Sequence, residues 1–385
     1  MRRGIVVFMV VVSLILAFGN FGYAAGVIKI GALYNLTGEM SSIDAPALNG
    51  VKLAAKEVNE KGGVLGKKIK IIAIDTKTNQ KECATAARQL LSEGVVAGIG
   101  YGDTTYVLAA APLFQKKHVP FITSGATLPE LPKMIGSYMF LVPFGDNVQA
   151  YAMADFLYKD LHVRKVVIWT NKATDYTLAL SKYFKERFTK LAGKKSILLE
   201  DFFQTGDKDY SAQIARVKAL KPQPDALFIS SIPDDIGIIV KQVREAGIKQ
   251  PIAGGDGYDT PLLVKVPGPK LANDIYYTTH QAWDNPDPVV QNFIKNYEKM
   301  FGHKPENAFA ALGYDALMLV VRAIKRAGSD NPTAIRDALA KEHGYHGVAG
   351  TISYKHGSRV PQKAVAIMKV EHGKIKFVKM VMPNM

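Results

Sequence analysis

Ile28-Lys29-Ile30-Gly31-Ala32-Leu33 is a short apolar run, and a polar loop carries the chain from it to Pro46. Asn49 then opens an amphipathic stretch with Val51, Ala54, Ala55 and Val58 on one face, closed by Gly62-Gly63, where the backbone needs positive φ. The unit is a strand followed by a helix, and the chain repeats it. Strand Ile69–Ile74, helix Glu82–Ser92, strand Val95–Ile99, helix Thr104–Lys117 and strand Val119–Ile122 complete a first series. A second series takes helix Val148–Lys159, strand Val166–Trp169, helices Leu178–Leu191 and Ser211–Leu220, strand Ala226–Ile229, helix Ile236–Ala246 and strands at Ile252 and Ile275–Thr278. Such alternation indicates parallel sheets covered by helices on both faces. The expectation is therefore α/β, with two doubly wound lobes.

Helices Pro288–Phe301 and Ala308–Ala327 follow, and the tail from Thr351 to Val378 reads as β-hairpins around Lys355-His356-Gly357 and Glu371-His372-Gly373. These pieces do not make a third domain by themselves. The chain is expected to return to the first lobe for the helices and to the second for the hairpins. Crossings near Pro143, Thr279 and Thr351 would form a three-strand hinge, dividing the chain into residues 25–143 plus 280–350 and residues 144–279 plus 351–385.

The 385 residues are 48% apolar and 22% charged, which suits two domains with sizeable cores and excludes disorder and collagen. Residues 1–24 read as a secretory signal: Arg2 and Arg3 are followed by an apolar run from Ile5 to Phe18, and Gly22-Tyr23-Ala24 supplies small residues for cleavage after Ala24. The run is short for a bilayer span. The expected location is the periplasm, free of the membrane. The formal charge of +15 falls to +13 without the leader. Its lysines are scattered without interleaved aromatics, as in a solvated surface, and nucleic acid is not expected as a partner. The single cysteine, Cys83, excludes an internal disulfide and reads as a small buried hydrophobe.

In open α/β sheets ligands bind beyond the carboxyl ends of strands, where helix N-termini present free N–H groups. Two such loops, Gly100-Tyr101-Gly102-Asp103-Thr104-Thr105 and Thr123-Ser124-Gly125-Ala126-Thr127, are dense in hydroxyls and small residues. That composition suits a carboxylate, but ordinary N-capping selects the same residues, and spacing leaves both readings open. In the second series Thr174-Asp175-Tyr176, Ser230-Ser231 and Gly254-Gly255-Asp256-Gly257-Tyr258 occupy equivalent loops. Asp256 fits either a turn or a carboxylate facing a ligand ammonium.

The segments Gly125-Ala126-Thr127-Leu128-Pro129-Glu130-Leu131, Asn59-Glu60-Lys61-Gly62-Gly63, Asp175-Tyr176, Asp207-Lys208-Asp209-Tyr210-Ser211 and Ala311-Leu312-Gly313-Tyr314-Asp315-Ala316 resemble, in the same order, the branched-chain amino-acid type of periplasmic substrate-binding protein. The resemblance spans essentially the whole mature chain and implies the type I periplasmic binding fold. It also implies that the loop around Thr104-Thr105 and the Thr127 hydroxyl hold a ligand α-carboxylate, that the Ala126 carbonyl helps the ammonium, and that Asp256 is its acidic partner. Tyr176 and Ser231 would close over the ligand from the second lobe, with Ile43 and Phe309 near the side-chain pocket. The family's often serine-rich first loop here contains Asp103, whose charge is unfavourable beside a carboxylate, so either Asp103 caps the helix facing away or the ligand is not a simple amino acid.

The implied function is capture of a small amino acid, branched-chain or related, by a monomer that delivers it to an ABC import permease. The alternatives are an amide, urea or aromatic carboxylate in the same fold, or a soluble ligand sensor for a separate receptor. Enzymatic readings fare poorly. The first strand lacks a Gly-x-Gly-x-x-Gly loop, no His-Glu-x-x-His or Gly-x-Ser-x-Gly occurs, and His343 and His346 lie in a Gly-rich loop. No metal and no cofactor is expected.

Overall fold

The computed structural model describes residues 26–382; the expected leader, residues 1–24, lies outside them. The first run comprises β1 (Val27–Tyr34), α1 (Ser41–Glu60), β2 (Lys68–Asp75), α2 (Gln80–Ser92), β3 (Ala97–Gly100), α3 (Thr104–Lys116), β4 (Phe121–Thr123), α4 (Leu131–Ile135) and β5 (Met139–Leu141). Its five strands form one parallel sheet in the order β2-β1-β3-β4-β5. The second run holds α5 (Asp146–Lys159), β6 (Val166–Asn171), α6 (Asp175–Ala192), β7 (Ile197–Phe203), α7 (Ser211–Ala219), β8 (Ala226–Ser230), α8 (Pro233–Glu245), β9 (Ile252–Gly254), α9 (Leu262–Lys265), α10 (Gly268–Leu271) and β10 (Ile275–Thr279).

The chain then returns to the first sheet with α11 (Pro288–Phe301), α12 (Phe309–Ala327), α13 (Pro332–Leu339) and the hairpin β11 (Tyr345–Gly347) and β12 (Gly350–Ile352). Finally β13 (Val365–Glu371) and β14 (Lys374–Val381) extend the second sheet, whose order is β14-β13-β10-β9-β8-β6-β7. Within this sheet, among the described residues, every antiparallel pairing involves one of these last two strands. Ile352 and Tyr354 still pack in the first core, and Val365 lies beyond it, beside Phe144 and Val148. The third passage between the lobes thus lies between those residues.

Burial follows the strand pleat. Along β6, Val167 and Trp169 enter one core and Val166 and Ile168 the other, the period-2 alternation of a sheet covered on both faces. In the first lobe, α12 packs across α1 through glycine. A Cβ on Gly50 would lie 1.9 Å from the Ala310 carbonyl oxygen, and one on Gly313 would lie 1.9 Å from that of Ala47. The two helix backbones therefore touch where any side chain would hold them apart.

Several elements differ from the sequence reading. Helix α1 starts at Ser41 rather than Asn49, although Pro46 lies inside it. Proline removes the N–H that would bond the carbonyl four residues back, and that carbonyl, of Ser42, instead accepts from Asn307 Nδ2 at 2.8 Å. Strand β7 was hidden because its segment carries Glu200 and Asp201 and lies at the sheet edge, half in solvent. The hairpin at Glu371-His372-Gly373 forms as expected, whereas strands pair around residues 348–349 rather than around Lys355-His356-Gly357.

Candidate functional site

The loop after β3 is fixed by a carboxylate from α1. Asp44 Oδ1 accepts the Gly102 N–H at 2.7 Å and its Oδ2 accepts the Asn35 N–H at 2.8 Å, so one side chain joins two strand-end loops. Tyr101 takes positive φ (63°), and its carbonyl accepts the Thr123 hydroxyl at 3.0 Å and the Ala126 N–H at 3.2 Å. The loops touch through glycine: a Cβ on Gly125 would meet Gly102 Cα at 2.7 Å, and one on Gly102 would meet Ile43 Cδ1 at 2.5 Å. Asp103 does cap α3, its Oδ1 accepting the Thr105 N–H at 2.7 Å. Thr104, fully buried in the first helical turn, has a hydroxyl without a partner among the described residues.

The second lobe meets this surface directly. Thr105 Oγ1 accepts the Asp175 N–H at 3.2 Å, Thr260 donates to Ser42 at 3.1 Å, Asp259 Oδ2 accepts the Ala308 N–H at 3.0 Å, and the Tyr183 hydroxyl donates to Glu130. Within the contact, Gln149 acts as a hub. Its Nε2 donates to Asp146 Oδ1 and Asp256 Oδ1, each at 3.0 Å, and its Oε1 accepts the Asp256 N–H at 3.0 Å and the Thr278 hydroxyl at 2.7 Å. Thr127 Oγ1 donates to Asp146 at 2.6 Å. His280 Nε2 lies 2.9 Å from Asp256 Oδ2, and its ring stacks on Phe144 with 3.9 Å between centroids and meets Phe309 edge-on at 6.1 Å.

The residues singled out in the sequence fall as follows. Thr127, Asp256 and Phe309 belong to the chain of contacts through Asp146, Gln149 and His280. Tyr176 joins them, its hydroxyl accepting the Gly257 N–H at 3.0 Å. Ser231 is buried and donates to the neighbouring Ile232 carbonyl at 3.3 Å. Thr104, Thr105, Ala126 and Ile43 line the facing loops, and the Ala126 N–H is engaged by Thr123 Oγ1 at 2.9 Å. Asp44, Asp146, Gln149 and His280 escaped the sequence reading. For the Asp146/Gln149 pair a signal existed: acid and amide three apart at a helix start share one face.

Burial dominates the electrostatics. It pushes the Asp146 carboxyl well above the usual range, and the nearby Asp256 charge pushes the same way against the bond from Thr127. It raises Asp44 to about 7 and Asp103 and Asp259 to about 6, and lowers His280 to about 4, so that ring is neutral at pH 7. Neither Asp146 nor Asp256 pairs with Lys or Arg among the described residues. Two carboxyl groups without a cation, flanked by hydroxyls and apolar rings, suit a ligand that brings its own positive charge. Among the described residues no cluster of His, Cys, Asp or Glu is arranged to hold a metal ion.

These shifts set the pH dependence of stability. An acid whose folded pKa is raised binds its proton more tightly when folded, so its contribution is complete below about pH 4 and is lost as pH rises to the folded value. His280 works in the opposite sense between about 4 and 6.5. Several carboxyls outweigh one imidazole, so the ligand-free protein should melt at a higher temperature near pH 5 than near pH 8. Calorimetry showing a steady rise across that interval would contradict the assignment.

Residues 27–374 match the model of the periplasmic binding protein family. The crystal structure of a leucine-binding protein, LivK, from Thermotoga maritima is 32% identical with a TM-score of 0.85, covering 92% of this chain and 99% of that one. LivJ of Streptococcus pneumoniae, a branched-chain amino acid transporter substrate-binding protein solved with isoleucine, is 30% identical with a TM-score of 0.86, covering 93% and 100%. The Leu/Ile/Val-binding protein homolog 1 of Brucella suis is 25% identical over 345 residues, 90% of each chain. A match that runs through both sheets, on the same two-lobed architecture, places this chain in the periplasmic binding protein family with its type I fold.

Proposed function

We propose that this chain captures a small amino acid with an aliphatic side chain between its lobes and delivers it to an ABC import permease. The observation that carries the reading is the buried Asp256 carboxylate, set between Gln149 and His280 without a cationic partner among the described residues, opposite the hydroxyl-rich start of α3. A zwitterion fits both ends: ammonium at Asp256 and the Ala126 carbonyl, carboxylate at Thr104, Thr105 and Thr127. Ile43 and Phe309 supply an apolar wall, and Tyr176 and Ser231 cover the ligand from the second lobe. Isoleucine in the related pneumococcal protein supports that class.

Charge-assisted bonds contribute about 1.5–3 kcal/mol each. Four or five of them, less ordering costs, are compatible with about −8 kcal/mol, or about micromolar binding. A ligand that touches both lobes favours the closed form by its differential contacts, and this form is the one the permease would read. The expected leader suits an exported, periplasmic protein, and neither catalysis nor a cofactor has a part in the proposed mechanism.

A thermal-shift screen tests the proposal. Leucine, isoleucine and valine should raise the melting temperature saturably, with compaction visible by small-angle scattering, while benzoate, urea and aliphatic amides should not. Stabilisation by benzoate or an amide in place of the amino acids would overturn it.

A further inference from the structure

A cavity of about 320 Å³ lies between the hairpin β11–β12 and the segments that leave β10 and enter β13, and it shares His280 with the interlobe contact. Lys363, Lys355, His280, Thr351 and Ser353 are among its lining residues, and no aspartate or glutamate lines it among the described residues. Lys363 is the unusual member. It is 4% exposed, and its Nζ donates to the Ala349 carbonyl at 2.8 Å without a carboxylate in ion-pair range among the described residues.

The acid that acts on it electrostatically, Asp315, is already engaged. Its carboxylate accepts the Tyr345 hydroxyl at 2.9 Å and the Val348 and Ala349 N–H groups at 2.9 and 2.7 Å. Burial lowers the Lys363 ammonium to about 8, so it stays charged at neutral pH. A buried charge without a counter-ion is strongly disfavoured unless something else neutralises it. The His280 side chain also lines the cavity, but it is neutral and its Nε2–H faces Asp256, so it adds no charge there. Lys355, exposed at the same cavity, adds a second positive charge, and Thr351 and Ser353 add hydroxyls.

We infer that this cavity is a binding site for a small oxyanion, a carboxylate or an inorganic sulfate or phosphate, with Lys363 as its inner cation and Lys355 at its mouth. The site shares His280 with the amino-acid cleft but does not depend on that reading. Titration calorimetry of the full chain with sulfate, against chloride at matched ionic strength, should show saturable one-site binding; phosphate and acetate in place of sulfate identify the favoured anion. Lys363→Met should weaken binding at least tenfold and Lys355→Glu at least threefold, with the leucine response of both variants unchanged. Because Lys355 is exposed, its variant decides the matter if Lys363→Met fails to fold. Absence of saturable binding by all three anions, or wild-type affinity in the variants, would overturn the site. A wild-type chain that takes sulfate but not leucine would leave the site standing and remove the amino-acid proposal instead.

Discussion

Asp256→Ala is expected to weaken leucine binding by a hundredfold or more while leaving a single cooperative melting transition. The carboxylate is 2% exposed, and its two oxygens meet Gln149 Nε2 and His280 Nε2. On the proposed binding mode its removal would leave the ligand ammonium desolvated without an acid, and a lost charge-assisted bond plus the unpaired charge amounts to about 3 kcal/mol, or roughly a hundredfold in affinity. Asp256→Asn keeps the shape and removes the charge. It should lose nearly as much affinity, which separates charge from packing. Calorimetric titration of both variants gives the answer, and leucine affinity within threefold of wild type in either would remove Asp256 from the ammonium site.

Gly313→Ala should destabilise the protein by about 3 kcal/mol, at the upper end of what overpacking costs. The added methyl would sit 1.9 Å from the Ala47 carbonyl oxygen, and the obstacle is backbone, not a side chain that can turn away. Helices α1 and α12 would have to separate, loosening a core that includes Leu48, Val51, Leu312 and Leu317. Gly328→Ala offers a contrasting control. That glycine follows α12 with φ near +61°, and a Cβ there meets nothing within 4 Å, so it carries only local backbone strain. Chemical denaturation compares the two, and a cost below about 1 kcal/mol for Gly313→Ala would show that the helices yield easily.

Much of the architecture was legible because it rests on local signals. The alternation of apolar strands and amphipathic helices, the Gly62-Gly63 stop and the Glu371-His372-Gly373 turn each act within a few residues. Asp103 was legible as a cap for the same reason, since capping needs only the helix that follows. What stayed hidden depends on partners far away in sequence. Pro46 reads as the end of a loop until Asn307 is seen to bond the Ser42 carbonyl. Asp44 reads as a residue of the polar loop before the helix until the Gly102 N–H arrives. Gln149 and His280 matter because Asp256, 107 and 24 residues away respectively, lies against them. The residues named from the resemblance sit in strand-end loops or the first turns of helices, yet the acid-amide-imidazole chain that links several of them follows from no local pattern.

The return of α12 to the first sheet also bears on how the protein comes into being. The sheet that starts at Val27 is covered by a helix whose last residue is Ala327, and α1 rests its backbone directly on that helix. A chain made from its amino terminus therefore carries an unfinished lobe through most of its synthesis, with the face of α1 that bears Ala47 and Gly50 uncovered. Such distant closure slows folding. The delay keeps the newborn polypeptide pliable until nearly all of it has been made.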